Sequence, residues 1–218
     1  MVSLTPVRDI ADLVLGRACR GCGRVGRDLC DACLAEARRN PQTLVVPTTG
    51  LPAWAAARYG STTRRLVLAY KDGQRSLAAP LGLLLADAVR AALCSLASGG
   101  ATLVPIPGHR RPQRGFDALA AISRVAVGTL RDAGWDVGLV RALSLRSDYR
   151  PAKSLGRDDR REALSGAFVA RAGIAVRPGV PLLVVDDVLT TGATLAQAVA
   201  ALRAGGHVPV GACVVAAA

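Results

Sequence analysis

Residues 182–195 read LLVVDDVLTTGATL. Four apolar residues make a strand that would be buried on both faces. Asp186 and Asp187 follow at its C-terminal end. Thr190, Thr191, Gly192, Ala193 and Thr194 then lead into a helix with Leu195, Val199 and Leu202 on one face. In open α/β sheets, ligands bind beyond the carboxyl ends of the strands. A Gly-Thr-rich turn entering a helix offers backbone N–H groups and hydroxyls, and the helix dipole adds positive potential. Such a turn is a seat for phosphate. Two adjacent carboxylates need neighbouring hydroxyls or a divalent cation to justify them. A phosphate carried on a polyhydroxylated sugar satisfies both halves of the pattern. A Walker B strand would need a GxxxxGK[ST] loop elsewhere, and the sequence has none.

A second cluster lies in ACRGCGRVGRDLCDACL, where Cys19, Cys22, Cys30 and Cys33 form two CxxC pairs seven residues apart. Each pair can turn two thiolates toward one point. Zinc favours the resulting tetrahedral set, and four protein ligands leave no position for water, so the expected role is structural. The same segment contains Gly21, Gly23 and Gly26 in a formal GxGxxG. No apolar strand runs into it and no long helix leaves it, which excludes a dinucleotide site. Cys94 and Cys213 stand alone in apolar surroundings and read as small buried hydrophobes.

These clusters need a scaffold. Short helices are expected at 5–15 and 31–39, with Asn40-Pro41 closing a module over residues 1–42. A second domain would cover 43–218. Helices are expected at 61–71, 80–98, 117–131 and 194–204. Strands are expected at 101–107, 138–145, 166–170, 182–185 and 208–215. This alternation predicts a parallel α/β sheet flanked by helices. The 80–99 stretch is apolar, but Asp87 and Arg90 interrupt it. Leu81, Leu84, Leu85, Ala88, Ala92 and Leu96 recur at helical spacing, so it reads as a buried amphipathic helix and not a membrane span. The first residues lack the basic start and apolar run of a signal peptide. The expected location is cytoplasmic, where clustered cysteines bind metal more often than they form disulfides.

Hydrophobic residues make up 51% of the 218, enough for a sizeable core. Twenty-eight basic residues against sixteen acidic give a net charge of +12, which favours anionic partners. With two histidines in all, His-rich metal sites and HExxH proteases are excluded.

The 182–195 segment resembles the PRPP-binding motif of type I phosphoribosyltransferases (PRPP, 5-phosphoribosyl 1-pyrophosphate). The whole chain resembles the ComF family, which joins an N-terminal four-cysteine zinc module to a phosphoribosyltransferase-like domain. Further matching stretches are Tyr70-Lys71-Asp72-Gly73, VPIPGHRRPQRGFD at 104–117 and SGAF at 165–168. The resemblance implies that Asp186 and Asp187 hold the ribose 2′- and 3′-hydroxyls as the catalytic acids. It implies that Thr190, Thr191, Gly192, Ala193 and Thr194 hold the 5′-phosphate. It places Gly108, His109 and Arg110 in a pyrophosphate loop, with Mg²⁺ entering alongside PRPP. Two stretches depart from the family pattern. Asp117 replaces an asparagine, and the hood segment 146–164 has lost a glutamine and an asparagine. Thr190 stands where purine-salvage relatives carry an acid.

Three functions follow. The first is transfer of the phosphoribosyl group to a nitrogen nucleophile with release of pyrophosphate. The second is an accessory role in DNA uptake, binding single-stranded DNA or competence proteins; thirteen basic and seven acidic residues fall within 110–171. With 3% aromatics, such binding would be mostly to the backbone and salt-dependent. The third is a PRPP sensor without turnover.

Overall fold

The computed structural model describes residues 18–108, 117–146, 166–174 and 176–218. The helix expected at 5–15 lies outside them. The described elements run α1 (Asp31–Ala37), β1 (Gln42–Val45), β2 (Pro52–Arg58), α2 (Ser61–Lys71), a 3-10 turn (Arg75–Leu77), α3 (Ala78–Ser95), β3 (Gly100–Pro105), α4 (Ala118–Asp132), β4 (Asp136–Leu139), β5 (Leu143–Leu145), β6 (Phe168–Ala170), β7 (Leu182–Leu189), α5 (Ala193–Ala204) and β8 (Pro209–Ala217).

Six strands form one sheet in the order β1-β2-β8-β7-β3-β4. All neighbours pair in parallel except β1, which lies antiparallel on the edge against β2. β5 and β6 make a separate antiparallel pair. The four inner strands are buried almost throughout: β3 along its whole length, and β8 everywhere but Val210. Burial on both faces explains why they read as continuous apolar runs.

The helical stripes lie where the spacing puts them. Leu81, Leu84, Leu85, Ala88 and Ala92 of α3 are buried, with Leu119, Ile122, Ala126 and Leu130 of α4 and Leu195, Val199 and Leu202 of α5. By length and composition, the helix over Arg75–Ser95 could cross a membrane, but its apolar face packs on β2, β8 and α4. Asp87 and Arg90 pair with each other on its outer side at 3.0 Å.

Several expectations need correction. No strand was expected at β1 or β2. β2 reads PAWAAAR, and alanine carries little strand preference; burial between β1 and β8 overrides it. The run 138–145 is not one strand: β4 joins the main sheet and β5 the small one. β7 extends to Leu189, so both acids lie inside the strand and not after it. Cys94 is exposed on the outer face of α3, whereas Cys213 is buried as expected. Asp117, which interrupts the family pattern, caps α4: Ala120 N–H donates to its Oδ1 at 3.1 Å, and Arg141 pairs with its Oδ2 at 2.9 Å. A carboxylate there also meets the positive end of the helix dipole.

Candidate functional site

The sheet reverses its winding between β3 and β7. From β3 the chain crosses through α4 to β4 on one side, and from β7 through α5 to β8 on the other. Right-handed crossovers in opposite directions put α4 and α5 on opposite faces. Ligands of open α/β sheets bind at such a switch point, beyond the C-terminal ends of the two central strands. β3 reaches this edge through Ile106, whose N–H donates to Val185 O at 3.0 Å. Gly108 follows there. His109 and Arg110, the rest of the expected pyrophosphate loop, lie outside the described residues, as does 147–164 of the expected hood.

On the β7 side a small, partly open recess is lined by Asp186, Val188, Leu189, the whole turn Thr190, Thr191, Gly192, Ala193 and Thr194, and by Leu195 and Val214. Gly192 is the N-cap of α5 with φ +75. That left-handed conformation favours glycine. Space demands it too: a Cβ would fall 2.7 Å from Val46 Cγ1 and 2.9 Å from Thr48 Oγ1. Thr48 donates its hydroxyl to Gly192 O at 3.2 Å, holding the turn from the connection between β1 and β2. The first-turn N–H groups of α5 then point out of the helix end. Gly192→Ala combines αL strain with overpacking and should cost about 1–3 kcal/mol. Chemical denaturation checks this, and a variant as stable as wild type would contradict it.

Asp186 lines the recess half-buried, and its Oδ1 accepts the Asp187 backbone N–H at 2.8 Å. Burial, then repulsion from Asp187, push its carboxyl up to about 7, against the opposing pull of that N–H and of Lys71. Asp187, the next strand residue, points to the other face. Its carboxylate meets Lys71 Nζ at 3.0 Å through Oδ1 and 2.8 Å through Oδ2. The raised Asp186 value has a sign for stability. The protonated form is favoured in the fold, so its contribution is complete below about pH 4 and is lost as pH rises through about 7. Asp186→Asn keeps the oxygen that accepts Asp187 N–H and removes the charge. It should stabilise the protein at pH 8 by at least about 1 kcal/mol and flatten the decline between pH 5 and 8. Thermal melts across that range test it; parallel curves for both proteins would refute the assignment.

The four cysteines converge. Their sulfurs lie within 4.8 Å of one another, and Cys22 Sγ and Cys30 Sγ are 3.8 Å apart. A zinc–thiolate tetrahedron with bonds of about 2.3 Å has edges of about 3.8 Å, so the donor set fits that metal. Cys30 N–H donates to Cys19 Sγ at 3.3 Å. Burial raises the Cys19 thiol, but backbone donors at Cys30, Cys22 and Gly21 outweigh it and bring it down to about 6, which favours the thiolate. Gly21 is glycine for space, since a Cβ would sit 2.6 Å from Cys33 Sγ. The cluster docks on the sheet domain through Gln74 to Asp28 at 2.7 Å, Arg38 to Asp87 at 2.7 Å, and an Arg65 contact to Gly21 O.

No family model and no curated protein matches the chain. A solved structure is similar to it, the crystal structure of orotate phosphoribosyltransferase from Aeropyrum pernix. Identity is 16%, with 84% of this chain and 93% of that chain covered and a TM-score of 0.35.

Sequence reasoning missed three contributors to the site. Lys71 stood in a quoted motif but had no role. Thr48 and Val46 lie about 145 positions from Gly192 and carry no local signal; only the long-range pairing of the sheet brings them there.

Proposed function

We propose that this protein binds PRPP and transfers its phosphoribosyl group to a nitrogen nucleophile, and that its four cysteines hold a structural zinc ion. The observation that carries the reading is the shared recess: Asp186 and the whole 190–194 turn line one cavity at the C-terminal end of β7, a strand that borders the switch point of the sheet. A 5′-phosphate suits the turn, whose N–H groups and threonine hydroxyls are all donors. Ribose hydroxyls suit Asp186 and Asp187, which accept. The pyrophosphate would then lie toward the end of β3, near Gly108.

The reaction is displacement at the anomeric carbon. Its bond to the pyrophosphate oxygen breaks as a bond to the nucleophile nitrogen forms. Positive charge grows on the sugar ring, and the acids beside it favour that charge. The acids also fix the sugar in line for attack. Mg²⁺ held by the pyrophosphate oxygens would offset the charge on the departing group.

Calorimetric titration with PRPP, with and without Mg²⁺, tests the binding step. Release of pyrophosphate with a panel of nitrogen nucleophiles tests transfer. Saturable binding with no release from any nucleophile would make the protein a sensor. No binding with Mg²⁺ present would sink the proposal.

A further inference from the structure

The pairing of Lys71 with Asp187 joins residues 116 positions apart. The lysine side chain is 48% exposed and the aspartate 23%. An ion pair that open adds little to stability. Its place gives it another use. It sits next to Asp186 along β7, the acid that lines the recess, and it engages both oxygens of Asp187. The helix that carries it is fastened on both sides. Tyr70 donates its hydroxyl to Ala118 O at 2.8 Å, and burial, then the charge of Asp117, push that phenol up to about 12, so it stays a donor. Arg65 and Gln74, six residues before and three after, hold the cysteine module. Lys71 thus leaves a rigid base.

We propose that Lys71 is the positioning residue of the acidic pair: it holds the Asp187 carboxylate in place and offsets its charge, so that Asp186 gives up its proton more readily than it would beside an unpaired Asp187. The ligand's identity rests on the reading above; the geometry of the pair does not. Among the described residues, the charged groups acting on Asp186 are Asp187 of β7 and Lys71 of α2. The other polar residues around it in the recess, Thr190, Thr191 and Thr194, are uncharged. Without Lys71, Asp187 would stand beside Asp186 with no cation paired to it, and Asp186 would keep its proton to higher pH. A protonated Asp186 cannot accept as strongly from a sugar hydroxyl. With Lys71 present, each Asp187 oxygen can still accept a second hydrogen bond from a ligand.

The test uses the full-length protein with Lys71→Met and Lys71→Arg. Carboxyl NMR titration, with no ligand, reads Asp186 directly. The methionine variant should move its midpoint upward by about one pH unit, and the arginine variant should restore it. An unmoved midpoint in Lys71→Met overturns the proposal. PRPP calorimetry with Mg²⁺ across pH 6–9 supplies the second readout. Lys71→Met should bind about fivefold more weakly at pH 7 and recover toward pH 9, and Lys71→Arg should bind nearly as wild type. An affinity and pH profile equal to wild type would count against it. If the wild-type protein binds no PRPP, the functional reading falls, while the NMR titration still decides the role of Lys71. Thermal melts of both variants guard against misfolding; if the methionine variant unfolds, a wild-type Asp186 midpoint in Lys71→Gln overturns the proposal.

Discussion

Replacing Asp186 and Asp187 together by alanine is expected to abolish PRPP binding and leave a folded protein. Both effects have the same origin. Asp186 sits half-buried on β7 between Val185 and the like-charged Asp187, and its charge is tolerated there at a cost. Removing it relieves that cost, so unfolding should stay cooperative and the midpoint at pH 8 should not fall. The main chain loses one contact, the hydrogen bond from Asp187 N–H to Asp186 Oδ1. Lys71 loses its partner but is half exposed and can turn to water. Binding has no such relief. A hydrogen bond to a charged acceptor is worth about 1.5–3 kcal/mol, so two lost acceptors should weaken affinity by at least about a hundredfold. The turn at Thr190–Thr194 stays intact, so inorganic phosphate should still bind weakly. That difference separates a sugar grip from a phosphate seat. An unchanged PRPP affinity in the double variant would show that the ligand lies elsewhere.

The sequence made this site legible because its parts are local. The strand, the paired acids, the turn and the helix follow one another in fourteen residues, and each has its own pattern. The cysteine cluster is local for the same reason. Helix faces were legible too, since burial of α3, α4 and α5 follows the 3.6-residue period. Non-local features were hidden. β2 is strand because β1 and β8 flank it, and its alanines say nothing of this. Thr48 and Val46 enforce glycine at 192, but only strand pairing brings them to it. Asp117 looked like a departure from a pattern, and its use became visible only with the start of α4 and the approach of Arg141. Cys94 went wrong for a different reason. Its neighbours in sequence are apolar, yet it falls on the outer face of α3, and local composition cannot tell which face of a nearly all-apolar helix meets solvent.

Cys22→Ser should release the metal and loosen the N-terminal module. Cys22 is exposed, so the change removes a ligand and leaves no cavity. The loss therefore reports coordination and not packing. A zinc–thiolate site supplies roughly 10–16 kcal/mol of apparent folding free energy, and breaking the tetrad should forfeit several kcal/mol of it. Elemental analysis should show zinc well below one per chain. Amide exchange should rise across 18–37, where the described backbone depends on few contacts besides the cluster itself. The effect should also spread. Gly21 O and Asp28 are the anchors for Arg65 and Gln74, and these flank Lys71 on and just after α2. A module that loosens lets that helix end move, so protection of Tyr70 and Lys71 should fall as well, and PRPP affinity should drop although no ligand-binding residue has changed. Faster exchange confined to 18–37 would show that the module is a passive appendage. Full zinc occupancy with unchanged exchange would refute the assignment of Cys22 as a ligand.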